Sequence, residues 1–347
     1  MASRGRSDPP FTTSRVTPET GALRPRPPRK STAAGGEARR GEMTSPLEQY
    51  LAELSDPDKP VVASKLANLS DLSPEEMEAF KTAWPEIDTE RRRQIVGWLE
   101  ELQADNFEME FDDVLIHCLD DPDSQVRVSA LEGLWACEEP SLTNRLTELL
   151  LGDAEHTVRA AAAGALGRYA LMAELGKLAA SDSLQVEEAL LSAFNRGDET
   201  LDVRCRVLEA VSALSKPRVE DLIRQAYHSE VHEFQASALF AMGRNCNPSW
   251  LPILFREFRS PNPQLRFEAV RACAELEAEE AVPHLIELSR DSDTEVRVSA
   301  IEALGRIGGS EARAVLEECV ESTEEPVREA ASEALDELKF WEDPTAL

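Results

Sequence analysis

Residues Asp291 to Gly309 read DSDTEVRVSAIEALGRIGG: a polar turn followed by an amphipathic helix, with nothing resembling a catalytic constellation. Val296, Ala300, Ile301, Ala303 and Leu304 fall at the spacing that gathers apolar side chains on one side of a helix. The stretch is rewritten along the chain. With Val296-Arg297 as a ruler, the equivalent pairs are Val126-Arg127, Val158-Arg159, Val203-Arg204, Phe234-Gln235, Leu265-Arg266 and Val327-Arg328. Successive intervals are 32, 45, 31, 31, 31 and 31 residues. A repeat of this length marks stacked units, each of which buries its apolar face only against its neighbours.

Within a unit, a first helix such as AVPHLIELSR leads through a polar turn into a second such as EVRVSAIEALGR. Six residues before the ruler arginine stand Asp121, Asp153, Asp198, Ser229, Ser260, Asp291 and Ser322. All are Asp or Ser, which suits a turn whose side-chain oxygen accepts backbone N–H groups where the second helix begins. The arginine one turn inside is expected to answer this row of acids, a structural pairing. The one long interval contains YALMAELGKLAASD, Tyr169 to Asp182, and predicts an extra short helix near 169–182.

These residues carry a resemblance. V-R-x-x-A-x-x-A-L-G, as it stands in VRVSAIEALGR and VRAAAAGALGR, resembles HEAT repeats of the short kind found in bilin-lyase-like proteins, over about Asp112 to Leu338. With EIDTERRRQIVGWLEEL and ASALFAMGR the chain is also similar to bacterial HEAT-repeat proteins of unassigned function. The resemblance implies an all-α fold, an α-α superhelix or HEAT-like solenoid; helix signals before it add an N-terminal helical cap, and the Pro/Arg-rich composition a disordered N-terminal tail. It is specific for fold and not for activity.

The expected domains are a basic Pro/Arg-rich segment (1–43) that is disordered and whose presence in the native protein is left open, a cap (44–110), about seven repeats (111–340) and a tail (341–347). In the cap, Ser73-Pro74 followed by Glu75 and Glu76 starts one helix, and Asp88 or Thr89 caps the next. Trp98 and Trp135 are expected to seal the cap against the repeats, and Trp341 to cover the last helix edge.

The formal charge is −29, but nine Lys and Arg against four Asp and Glu leave residues 1–43 at +5 and hence the remainder at −34. Phosphate backbones are bound by Lys and Arg that release counterions, so this body argues against nucleic acid as a partner. No apolar run has the length of a membrane span, and no secretory signal is evident. A soluble, cytoplasmic chain is expected, with a monomer favoured over an oligomer. Cys118, Cys137, Cys205, Cys246, Cys273 and Cys319 show no CxxC and no metal-ligand spacing, and read as reduced, buried side chains.

Deoxyhypusine hydroxylase, built of similar repeats, holds two irons on His-Glu pairs directly after the arginine position. No unit here carries that pair. His232-Glu233 reads as part of the turn before a second helix, with His228 ending the preceding one, so these histidines are expected to be solvated or capping. Neither a metal nor a cofactor is expected, and no nucleophile motif is present. The chain reads as a non-enzyme.

The second helices should line an extended groove. Places two, five and nine after the ruler residue fall away from the packed side, and there the units differ most. Arg206, Phe240, Arg244 and Arg271 come from consecutive units, with Glu209 and Arg306 in the same columns. Arginine and aromatic side chains anchor many interfaces. Two readings remain open: a site for an acidic partner segment, or a solvated face whose arginines pair locally with Glu209, Glu268 and Glu275. The expected function is a protein-interaction scaffold or adaptor binding one or more proteins along this groove. The alternative is an enzyme accessory or lyase-like protein handling a cofactor such as a bilin.

Overall fold

A computed structural model describes residues 45–106 and 109–342. The basic segment 1–43, the tail from 343 onward and the Trp341 side chain lie outside the described residues. Every element described is helical. The N-terminal helices are α1 (Pro46–Ser55), α2 (Ala63–Leu66), α3 (Pro74–Ala83) and α4 (Thr89–Asp105). Seven helix pairs follow among the described residues: α5 (Asp112–Cys118) with α6 (Ser124–Gly133), α7 (Leu142–Gly152) with α8 (His156–Glu174), and α9 (Ala180–Asn195) with α10 (Leu201–Val211). Then come α11 (Pro217–Tyr227) with α12 (His232–Arg244), α13 (Leu251–Glu257) with α14 (Pro263–Glu275), α15 (Val282–Leu288) with α16 (Thr294–Ile307), and α17 (Ser310–Cys319) with α18 (Glu325–Glu342).

Local chemistry sets the starts. Ser45 and Ser73 each form a capping box, with Glu48 and Glu76, and each is followed by a proline whose missing N–H costs nothing at that position. Asp88 caps α4 through the Glu90 amide. In the repeats the true cap lies two residues beyond the Asp/Ser position: Asp123, Thr200, Asn262 and Asp293 accept first-turn amides. The Asp/Ser residue instead folds the turn. The side chains of Asp121, Asp153, Ser229, Asp291 and Ser322 accept the amide two residues on.

The long interval holds no extra helix. α8 runs for 19 residues and α9 for 16, so the additional residues lengthen two helices that already exist. Nothing between Tyr169 and Glu174 breaks a helix, and the turn comes at Gly176, whose φ of 67° suits glycine.

The second helices α4, α6, α8, α10, α12, α14, α16 and α18 pack on one another in succession. Val296, Ala300, Ile301 and Leu304 are fully buried, each large aliphatic adding about 2 kcal/mol of burial. The Ala and Gly of the repeat have a distinct task. A Cβ built on Gly167, Gly243 or Gly305 would stand 3.2, 2.8 or 3.0 Å from the Cα of Ala210, Ala272 or Ala334 in the next second helix. The eighth place of one unit thus rests on the sixth place of the next, and only small residues allow it.

α4 belongs to this row. Arg92 occupies the ruler position, four residues after the Asp88 cap, and its Nε lies 3.1 Å from the Asp121 carboxylate, both side chains being buried. Trp84 donates its Nε1–H to the same carboxylate at 2.8 Å. Trp84 and Arg92 therefore join the cap to the repeats. Trp98 packs partly buried on the core, but Trp135 is 40% exposed and seals nothing.

Candidate protein-interaction face

The ruler arginines form a ladder along the turns between first and second helices. Arg127 places Nε and Nη2 at 2.9 and 2.8 Å from the two oxygens of Asp153, while Nη1 donates to the Asp121 carbonyl at 2.8 Å. Arg159 does the same with Glu199 at 2.9 and 2.7 Å, and Arg266 with Asp291 at 2.8 and 2.7 Å. Arg297 reaches Glu324. Where the turn residue cannot reach, a neighbouring glutamate substitutes: Glu199 for Asp198 and Glu324 for Ser322. The pairing is structural, and it consumes the most regular charges in the chain.

The candidate residues stand apart from this ladder, on the second helices. In α10, Arg206 donates to Glu209 at 2.8 Å, and the other Glu209 oxygen accepts from Ser237 Oγ of α12 at 2.6 Å. In α14, the Arg271 guanidinium lies 5.8 Å from the Phe240 ring centroid and 5.6 Å from that of Phe267. It is 3.8 Å from the Glu268 carboxylate. Three successive second helices so present one patch: Arg206, Glu209, Ser237, Phe240, Glu268 and Arg271.

Glu268 is its least ordinary member. The side chain is 13% exposed, and its Oε2 is buried without a hydrogen bond among the described residues. Burial pushes its pKa up to about 7; Arg271 opposes the rise and Glu209 adds to it. The patch therefore holds a carboxyl that gains or loses a proton near neutrality beside a guanidinium resting on two aromatic faces.

Four of the six residues singled out by sequence, Arg206, Glu209, Phe240 and Arg271, are brought together. Arg244, the exposed last residue of α12, enters none of these contacts. Arg306 lies further along and pairs with Glu275 at 2.9 Å. Two of the pairs are local, Arg206 with Glu209 and Arg271 with Glu268; Glu275 is paired instead across helices, with Arg306. Ser237 and Phe267 were missed; place two of α12 and the residue after the ruler arginine in α14 gave the only signal.

His232 is corrected by the structure: it opens α12 instead of lying in a loop, and its Nδ1 is 3.1 Å from Gln235 Oε1. His228 follows α11 directly. No group of three or more His, Cys, Asp and Glu side chains is placed to hold a metal ion among the described residues. Cys118, Cys137, Cys205 and Cys273 are buried, whereas Cys246 is exposed. A cleft of about 420 Å³ opens beside Asp291, Arg297, Cys319 and Glu324; its walls include residues of the arginine ladder. No described helix is long and apolar enough to cross a membrane.

No curated protein matches the chain. Among solved structures, the CpcE–CpcF complex of phycocyanin lyase from Nostoc is 15% identical, with coverage of 82% of this chain and 97% of that one, and a TM-score of 0.49. YibA of Escherichia coli is 18% identical, with coverage of 71% and 96% and a TM-score of 0.42. Human deoxyhypusine hydroxylase in complex with glycerol is 19% identical, with coverage of 84% and 97% and a TM-score of 0.35. Residues 113–185 and 247–336 match the family model described as HEAT repeats. These two segments are HEAT repeats, and the same helix pair continues through the residues between them.

Proposed function

We propose that the chain is a protein-interaction scaffold whose partner docks across α10, α12 and α14. One observation carries this reading: the positions that vary most between units converge there into a continuous patch of arginine, aromatic and half-buried carboxyl groups on an otherwise uniform helix stack. Such side chains anchor interfaces because they bury large area and lose little freedom on binding. Arg206 is paired with Glu209, and Arg271 lies beside Glu268. A partner carboxylate gains by exchanging an intrachain pair for an interchain one, and a neutral Glu268 eases that exchange at Arg271. Binding involves complementarity alone, with no turnover.

The test is capture of partner from lysate of the source organism by the full chain and by Phe240→Ala/Arg271→Ala. Loss of the captured protein at an unchanged melting temperature supports the proposal. Undiminished capture by the double variant rejects this face.

A further inference from the structure

Two consecutive rungs of the arginine ladder are missing, both at the α11–α12 unit. Arg204 holds the ruler position, and the turn it would answer carries Ser229 at the Asp/Ser place. Its guanidinium instead lies against the rings of Phe194 and Phe234, 5.3 and 5.0 Å from their centroids, and its Nε is buried without a hydrogen bond among the described residues. Gln235 stands where the next arginine belongs. Its amide donates to Ser229 O at 2.8 Å, within its own unit, and the residue it would answer is Ser260. The ladder is therefore split: Arg92, Arg127 and Arg159 tie the units before α11–α12, and Arg266 and Arg297 tie those after it.

We infer that the α11–α12 unit is a built-in articulation of the helix stack, lacking an arginine rung at the N-terminal end of α12, where the Ser237–Glu209 hydrogen bond to α10 remains, and pinned at its C-terminal end. The pins are specific. Asn245 donates to the carbonyls of Ser212 and Leu214 at 3.1 and 3.3 Å, and Gly243 sits against Ala272. In the first-helix layer, Tyr227 hydrogen-bonds Arg256 and Glu257 across to α13. At the N-terminal end a bidentate fork would fix distance and angle together. The stacked Phe194 and Phe234 rings, 5.8 Å apart, let the guanidinium slide across them at little loss, because attraction to a ring face varies slowly with lateral position. Rocking about the pins changes the spacing of α10, α12 and α14, so it would open and close the patch of Arg206, Phe240 and Arg271. The articulation itself does not depend on that patch being the docking face.

Hydrogen exchange of the full chain, read by mass spectrometry, tests it. Amides of the turn at 228–231 and of the first turn of α12 should exchange at least about tenfold faster than those at the equivalent places of α8 and α16. Ser229→Asp/Gln235→Arg/Ser260→Asp, which restores both rungs, should slow them to the level of those helices. Equal exchange in the unaltered chain overturns the inference, as does a folded triple variant with unchanged rates. Should the triple variant melt below the unaltered chain, Asp291→Asn decides: removing an existing rung should speed exchange at the start of α16 to that seen at α12, and no acceleration overturns the inference.

Discussion

Arg127 and Asp153 meet as two parallel N–H···O bonds of 2.9 and 2.8 Å between side chains 12% and 7% exposed, joining one repeat to the next. Removing the cation leaves a buried carboxylate without its partner, which costs far more than the net worth of the intact pair. Arg127→Ala should lose about 3 kcal/mol in urea unfolding. Arg290→Ala, which removes a pair with Glu318 whose side chains are 67% and 70% exposed, should leave the midpoint unchanged.

Glycine to alanine inside a helix ordinarily stabilises by up to about 1 kcal/mol. Gly164→Ala in α8 should do so, because a Cβ there meets nothing within 4 Å. Gly243→Ala should instead destabilise by about 2 kcal/mol, since its Cβ would stand 2.8 Å from the Ala272 backbone and force α12 and α14 apart. Thermal melts of the two variants should move in opposite directions.

Stability should peak near pH 5. Glu268 is pushed up to about 7 by burial, as is Glu100, where Glu132 and Glu101 add to the effect. A raised carboxyl pKa means that the folded chain binds more protons than the unfolded one between about 4 and 7, so stability rises as pH falls through that window. Below it the sign reverses. Asp123, held at about 2 by the Arg93 fork, and Asp291, which burial would raise but Arg266 and the Asp293 amide hold below its usual value, lose their contribution as they protonate. Glu268→Gln should flatten the rise between pH 8 and 5 while leaving the acid limb in place.

Trp84→Phe removes the hydrogen bond to Asp121 and leaves that buried carboxylate with one donor fewer. A loss of about 2 kcal/mol is expected. Combined with Arg92→Ala, the two losses should not add, because both groups act on one acceptor. A double-mutant cycle from urea midpoints measures the coupling.

The repeat, its ruler and its packed face were legible because they rest on side-chain spacing, which a helix converts into position without outside help. Arg297 and Asp291 could be assigned to a ladder from their recurrence alone. Tyr169 to Glu174 could not be divided between elements, since every residue there favours a helix and only packing decides whether one helix continues or another begins. Likewise Trp135 and Trp84 are alike in composition, yet one is exposed and the other is buried against Asp121.

The sequence by itself determined that this chain stacks helix pairs, that a row of arginines recurs along them and which positions are left to vary. Tertiary structure decided which acid each arginine reaches, that Arg204 finds two rings instead, and that Arg206, Phe240 and Arg271 share a patch that Arg244 and Arg306 do not join. The reason is physical: periodicity sets the direction in which a side chain leaves its own helix, but contact across helices depends on the spacing and rotation of neighbours. Those are set by the summed packing of Gly on Ala and of Leu on Leu, which no single stretch contains.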